Sequence, residues 1–288
     1  MTGSTPPGSP ARPEAAARLD LDAALLDTLF ARFFDDAALF PPGNAPMADA
    51  VPAHRRALAG PHGDLLGPFV IPAARLASLD GPPLDIALII APASLDELPD
   101  NPGPRVVAVE TPVAADKDQT RFAVRTMAAT LAPEVTRAIE LPRTSARDEV
   151  LDALAGTGVR AKLRTGGLRA DLFPTVDELA ATIRACAERD IAFKCTAGLH
   201  HAIRHTDPAT GFEHHGFLNV LLAAADPADA EAQLHRTDAA TMAAELRAWT
   251  PSDAARVRSI FTSFGTCDVA EPVHDLAHLG LLPERIIP

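Results

Sequence analysis

The sequence predicts an α/β fold, a closed (β/α)8 barrel of the TIM type, on three observations. Short apolar runs alternate with helical segments through six units between residues 67 and 196, the signature of parallel strands with helices outside. No Gly-x-Gly-x-x-Gly follows an early strand, which weakens the alternative of an open doubly wound parallel sheet with a dinucleotide site. The 288 residues are 47% hydrophobic, enough for one large core. A single domain of about 250 residues is an ordinary size for a barrel.

Residues 1–18 hold four prolines and two glycines and are expected to be a disordered tail ahead of one barrel domain, residues 19–288. Leu21, Leu25, Leu29 and Phe33 recur at helical spacing, predicting a helix over Leu19–Leu39 capped by Asp20 or Asp22 and ended by Phe40-Pro41-Pro42-Gly43. A second helix is predicted over Met47–Leu58. Both would precede the first strand and cap or plug one end of the fold. The predicted strands are Gly67–Ile71, Leu84–Ile90, Arg105–Glu110, Val135–Leu141, Val159–Arg164 and Ile191–Thr196. The helices between them are Ala73–Leu79, Ser94–Leu98, Asp118–Leu131, Ser145–Ala155 and Thr175–Asp190. The last carries a capping box, Thr175 with Glu178. Further on, Gly216–Ala225 reads as a helix or a seventh strand. Ala228–His235 and Ala239–Trp249 read as helices, Arg258–Phe264 as the last strand, and Pro272–Leu282 as a short helix with His274 and His278 on one face.

Charge and composition exclude several classes. The net charge is −12 and no basic run of 5–8 residues occurs, which argues against nucleic acid or an anionic membrane as partner. No apolar stretch is longer than the six residues of Ile86–Ala91, far short of the ~20 residues of a membrane span. Met1–Arg18 has no apolar core of a secretory signal, and three cysteines suit a reducing compartment, so a cytoplasmic protein is expected. A homo-oligomer is compatible with all of this. Only three basic residues are lysines, Lys117, Lys162 and Lys194. Where arginine is the default cation, a strand lysine stands out, because only lysine can lose its proton when buried.

Strand alternation places the candidate site. In 159–164, Val159, Ala161 and Leu163 should face the helices, which turns Arg160, Lys162 and Arg164 into the barrel. In 191–196 the same rule turns Ala192, Lys194 and Thr196 inward. Glu110 and Glu140 close their strands in the same way. Catalytic groups of barrels sit at the C-terminal strand ends. The bland alternative is a set of buried bridges closing the barrel. Two loops favour function: Thr165-Gly166-Gly167 and Ala197-Gly198-Leu199-His200-His201. Paired glycines expose backbone N–H groups that can cradle an anion, and Arg160 and Arg164 would add charge-assisted bonds. The substrate-binding set is thus Arg160, Arg164, Thr165, Gly166, Gly167, Thr196, Gly198, Arg204, His215 and Asn219.

Five of the ten histidines lie between residues 200 and 215. His200 or His201 suits general acid–base work, since imidazole titrates near neutrality. A divalent metal would instead use His200, His201 and His215 with Glu110 and Glu140, although no standard ligand spacing occurs. Phe264-Gly-Thr-Cys267-Asp268 resembles a strand-to-loop junction, where Cys267 is either a packed residue or a nucleophile activated by a histidine.

Three stretches, Lys162-Leu-Arg-Thr-Gly-Gly167, Lys194-Cys-Thr-Ala-Gly-Leu-His-His201 with His215-Gly-Phe-Leu-Asn219, and Phe264-Gly-Thr-Cys267 with Glu271-Pro272, together resemble a bacterial family of uncharacterised proteins. The resemblance covers residues 40–288 and supports a single domain; it implies no activity. Lys194-Cys-Thr-Ala-Gly also resembles the Schiff-base strand of deoxyribose-phosphate aldolases, class I enzymes with a second lysine before a Gly-Gly turn, as Lys162 precedes Gly166-Gly167. Here the Gly-Gly strand comes first. The likeness implies a carbon–carbon lyase in which Lys194 attacks a carbonyl and Lys162 lowers its pKa.

Three functions follow. The first is an enzyme for a small phosphorylated or carboxylated carbonyl compound, with Lys194, Lys162, Glu140, Glu110, His200 and His201 as catalytic groups and no cofactor. The second is a metal-dependent hydrolase or isomerase on the same scaffold. The third is a non-catalytic anion-binding protein.

Overall fold

In a computed structural model of the chain, residues 22–97 and 105–282 are described; the expected tail, residues 1–18, and Leu19, Asp20, Leu21 and Leu98 lie outside them. Eight parallel strands close into a barrel: β1 (Phe34–Asp36), β2 (Leu66–Pro72), β3 (Asp85–Ile89), β4 (Arg105–Thr111), β5 (Thr136–Glu140), β6 (Arg160–Arg164), β7 (Phe193–Thr196) and β10 (Phe261–Thr266). They stand in chain order around the barrel, and β10 pairs with both β7 and β1 to close it. This is the (β/α)8 architecture. A separate antiparallel pair, β8 (His205–Thr206) and β9 (Glu213–His214), sits in the long connection between β7 and β10.

The first strand corrects the sequence reading. Leu19–Leu39 does not form one helix: α1 covers only Ala23–Phe30, and β1 follows within four residues. Arg32 adopts a left-handed φ of 51°, which no helix interior accommodates. The Phe33 N–H then donates to the Leu65 carbonyl, leading the chain into the sheet. The gain comes from aromatic burial. The Phe33 ring lies 5.0 Å from Phe261 and 5.2 Å from Phe264, and Phe34 packs 5.3 Å from Phe264. Tertiary packing of these rings overrides the helical period. The two N-terminal helices therefore do not both precede the first strand. β1 runs between α1 and α2 (Met47–Leu58), and buried Asp36 on β1 bonds His54 of α2 at 2.9 Å.

The middle of the chain follows the prediction closely. α3 (Lys117–Thr130), α4 (Arg147–Leu154) and α5 (Val176–Glu188) cover the barrel after β4, β5 and β6. α5 starts with the expected capping box and buries Leu179, Ile183 and Cys186. After β2 and β3 the coverings are short 3-10 turns, Ala73–Ser78 and Pro92–Glu97, because those segments are too short to repay helix nucleation. In β6 and β7, Ala161, Leu163, Phe193 and Cys195 are buried on the helix side, as the alternation requires.

The C-terminal third resolves the open choices. Gly216–Ala225 contains a helix, α6 (Phe217–Ala225), buried along Phe217–Ala224. α7 (Ala230–His235), α8 (Ala239–Arg247) and α9 (Pro251–Ile260) follow. Arg258 belongs to α9, so the last strand starts later than expected. α10 (Ala270–His278) closes the described chain. Among the described residues no helix is long and apolar enough to cross a membrane.

Candidate functional site

Strand register decides which side chains meet. Lys162 lies directly beside Lys194, and Glu140 beside Lys162. With period-two alternation all three point into the barrel. Glu110 of β4 and Asp35 of β1 reach the same level from other sides. Asp35, Glu110, Glu140, Lys162 and Lys194 are each at most 5% exposed. They form one chain of ion pairs. Lys194 Nζ donates to Asp35 Oδ2 and Glu110 Oε1, both at 2.5 Å. Lys162 Nζ lies 2.8 Å from Glu110 Oε2 and 3.4 Å from Glu140 Oε2. Arg164 Nε donates to Glu140 Oε1 at 3.0 Å, and the Ser263 hydroxyl donates to Asp35 at 2.9 Å. Three carboxylates and three cations balance, which lets so many charges stay buried.

The electrostatics correct one premise of the sequence reading. Two ammonium groups alone would lower each other's pKa, but here carboxylates stand between them. Burial by itself would lower the pKa of Lys194; Asp35 and Glu110 outweigh it and hold that ammonium above its usual range. Burial would likewise raise Glu110, yet Lys162 and Lys194 pull it down to about 2. Asp35 is raised, because burial exceeds what its Lys194 contact returns. Lys194 is therefore a fixed cation.

Above this layer, at the C-terminal ends of the strands, lies a cavity of about 630 Å3. Glu110, Glu140, Lys162, Arg164, Gly167, Lys194, Thr196 and His200 line its polar side. Phe40, Pro41, Val70, Ile89, Pro112 and Leu172 add apolar lining. Its size suits a small organic ligand. A smaller cavity of about 190 Å3 adjoins it, lined by His200, His201, His205 and His214.

Other predicted residues act as scaffold. A Cβ on Gly166 would stand 2.8 Å from the Gly198 Cα, so these glycines let the β6 and β7 loops cross. The Thr165 hydroxyl donates to the Ala197 carbonyl. Ala197 itself is left-handed, with a φ of 58°. The Gly166 carbonyl accepts from Arg164, at 3.4 Å.

Four predicted binding residues lie away from the mouth. Arg160 faces a cavity at the opposite, N-terminal end of the barrel, since it sits at the start of β6. Arg204 pairs with Glu213 at 2.8 Å. His215 is buried, and its Nε2 donates to the Pro174 carbonyl at 2.8 Å. Asn219 accepts from the Arg204 N–H and donates to the carbonyls of Gln233 and Arg236, at 2.8, 2.9 and 2.8 Å. It holds the β7–β10 connection together. Asn219→Leu is expected to lose ~3 kcal/mol in a denaturant titration, because three backbone groups lose their partner.

The proposed metal ligands do not converge either. His200 Nδ1 is 2.7 Å from Glu271, and His201 Nδ1 is 3.2 Å from Asp275. His215 is tied to Pro174, and Glu110 and Glu140 are engaged by lysines and Arg164. Among the described residues no three His, Cys, Asp or Glu side chains form a metal-holding group.

Sequence reasoning missed Asp35, the group that completes the charged layer. Phe-Phe-Asp-Asp, an aromatic pair followed by carboxylates, was its signal, masked by the helical leucine spacing before it. No protein-family model matches this chain, and no curated protein is similar to it in sequence.

Proposed function

We propose that this barrel is an enzyme acting on a small carbonyl compound that carries an anionic group, by amine catalysis of carbon–carbon bond cleavage or formation. The observation that carries the reading is Lys162 at the floor of the mouth cavity, in register beside Lys194 and between Glu110 and Glu140. Lys162, rather than Lys194, is the nucleophile in this reading. Lys194 is clamped by two carboxylates at 2.5 Å and kept protonated, whereas the Lys162 contacts are longer.

Glu140 takes a proton from the Lys162 ammonium, and the free amine adds to the carbonyl carbon. The carbinolamine loses water to give an iminium. That cation accepts the electron pair of the breaking carbon–carbon bond, and Glu140 or His200 moves the proton that the departing carbonyl product leaves behind. Lys194 keeps Glu110 ionised, and Glu110 steadies the iminium charge. Arg164, one-third exposed at the mouth, meets the anionic group.

Borohydride reduction in the presence of small phosphorylated and carboxylated aldehydes and ketones tests this. The expected result is a reduction-stable mass increase on Lys162, absent from Lys162→Met. An adduct on Lys194 instead would overturn the assignment. Saturable binding with no adduct across the panel would make the chain an anion-binding protein.

A further inference from the structure

Cys267 follows the last barrel strand and lines both the mouth cavity and its histidine-rich neighbour. His200, from the loop after β7, stands beside it: Sγ is 3.8 Å from Nε2 and 3.9 Å from Nδ1. His200 Nδ1 is in turn 2.7 Å from Glu271 Oε2 at the start of α10, and 3.3 Å from the Thr266 hydroxyl. A carboxylate can only accept, so Nδ1 carries the hydrogen and Nε2 is left as the unprotonated nitrogen, with Sγ beside the ring at nearly equal distance from both nitrogens. Three separate elements thus bring together a thiol, an imidazole and a carboxylate that orients it. These are the three kinds of group by which a cysteine is activated.

We propose that Cys267, with His200 as its base and Glu271 as the positioning residue, is a second nucleophile of the mouth cavity and adds to the carbonyl carbon of an aldehyde. The Sγ–H proton passes to His200 Nε2 as the Sγ–C bond forms. The carbonyl π pair moves to oxygen, which takes that proton back from His200. The product is a thiohemiacetal, and the step needs no oxidant or further reactant.

The surroundings suit such a step. Burial raises the pKa of the Cys267 thiol, and Glu271 and Asp268 add to it against the nearby Gly43 N–H. The group therefore stays a protonated thiol until a base takes the proton. Lys162, Lys194 and Arg164 face the cavity from β6 and β7 and favour a developing alkoxide. Cys186 and Cys195 are fully buried against the helices and serve as internal controls; burial pushes the Cys186 thiol up to about 12.

The test is alkylation of the full-length chain by iodoacetamide between pH 5 and 10, read at each cysteine by peptide mass mapping. Cys267 is expected to react while Cys186 and Cys195 do not, with a rate that holds up below the ionisation of an isolated thiol. His200→Gln should slow Cys267 at pH 7 by about tenfold or more. Glu271→Gln should slow it less and shift the profile. Propanal should protect Cys267 in the wild type and in Lys162→Met, so failure of the amine reading leaves this result standing. A wild-type rate that follows one ionisation at or above 9 and is unchanged in His200→Gln would overturn the proposal. So would the absence of protection by propanal.

Discussion

Lys194→Met is expected to lower the unfolding free energy by about 3–5 kcal/mol. The methionine fills the space but leaves Asp35 and Glu110 facing each other without the cation at 2.5 Å from both. Both carboxylates are buried, so neither can recover its hydration. The loss should appear as a lower urea midpoint at unchanged slope. Replacing all three groups together, Asp35→Asn, Glu110→Gln and Lys194→Met, should be much less harmful than the sum of the three single losses, because no uncompensated charge remains. Additive losses would mean that the groups act independently and the layer is not one network. Loss of activity in Lys194→Met alone thus says little about chemistry, whereas Lys162→Met leaves Glu110 with Lys194 and Glu140 with Arg164.

A second large effect is expected on acidification, from His215. Burial pulls its pKa down to about 4 from 6.5, while its Nε2–H keeps the Pro174 carbonyl satisfied. The sign follows from proton uptake. Below pH 6.5 the unfolded chain binds a proton that the folded chain refuses until about pH 4. Stability is therefore intact above pH 6.5 and falls between 6.5 and 4, by on the order of 3 kcal/mol in total. His215→Gln keeps a donor and cannot titrate. Measured against that variant, the wild type should lose stability steadily across that window and level off below it. A difference that stays constant from pH 6.5 to 4 would refute the assignment. Glu110 acts in a separate range: its pKa is depressed from 4.5 to about 2, so its contribution is lost only as pH falls below 4.5.

Much of the site is legible in the sequence because it lies on strands. Period-two alternation turns Lys162, Arg164, Lys194 and Thr196 to one side whatever surrounds them. Barrel topology then places their ends at one mouth. The same rule gives Arg160 the right face but not the right end; it begins the strand that Arg164 finishes, so it looks toward the opposite opening. Loop residues offer no such rule. His200, His201 and His215 are close in sequence, yet the turn after β7 sends His200 to the cavity, His201 to Asp275 and His215 to Pro174.

The chain by itself determined the parallel α/β class, six of its strands and the capped helix α5, because these depend on local periodicity and capping chemistry; it favoured a closed barrel over an open sheet, and the closure itself runs through β1. Tertiary structure decided the rest. It drew β1 out of a helical pattern through the packing of Phe33 and Phe34 on Phe261 and Phe264, and so delivered Asp35 to a lysine 159 residues away. It also brought His200, Glu271 and Cys267 together from three elements. Ionisation of such groups depends on which charges stand between them, a matter of distance through space that spacing along the chain does not encode.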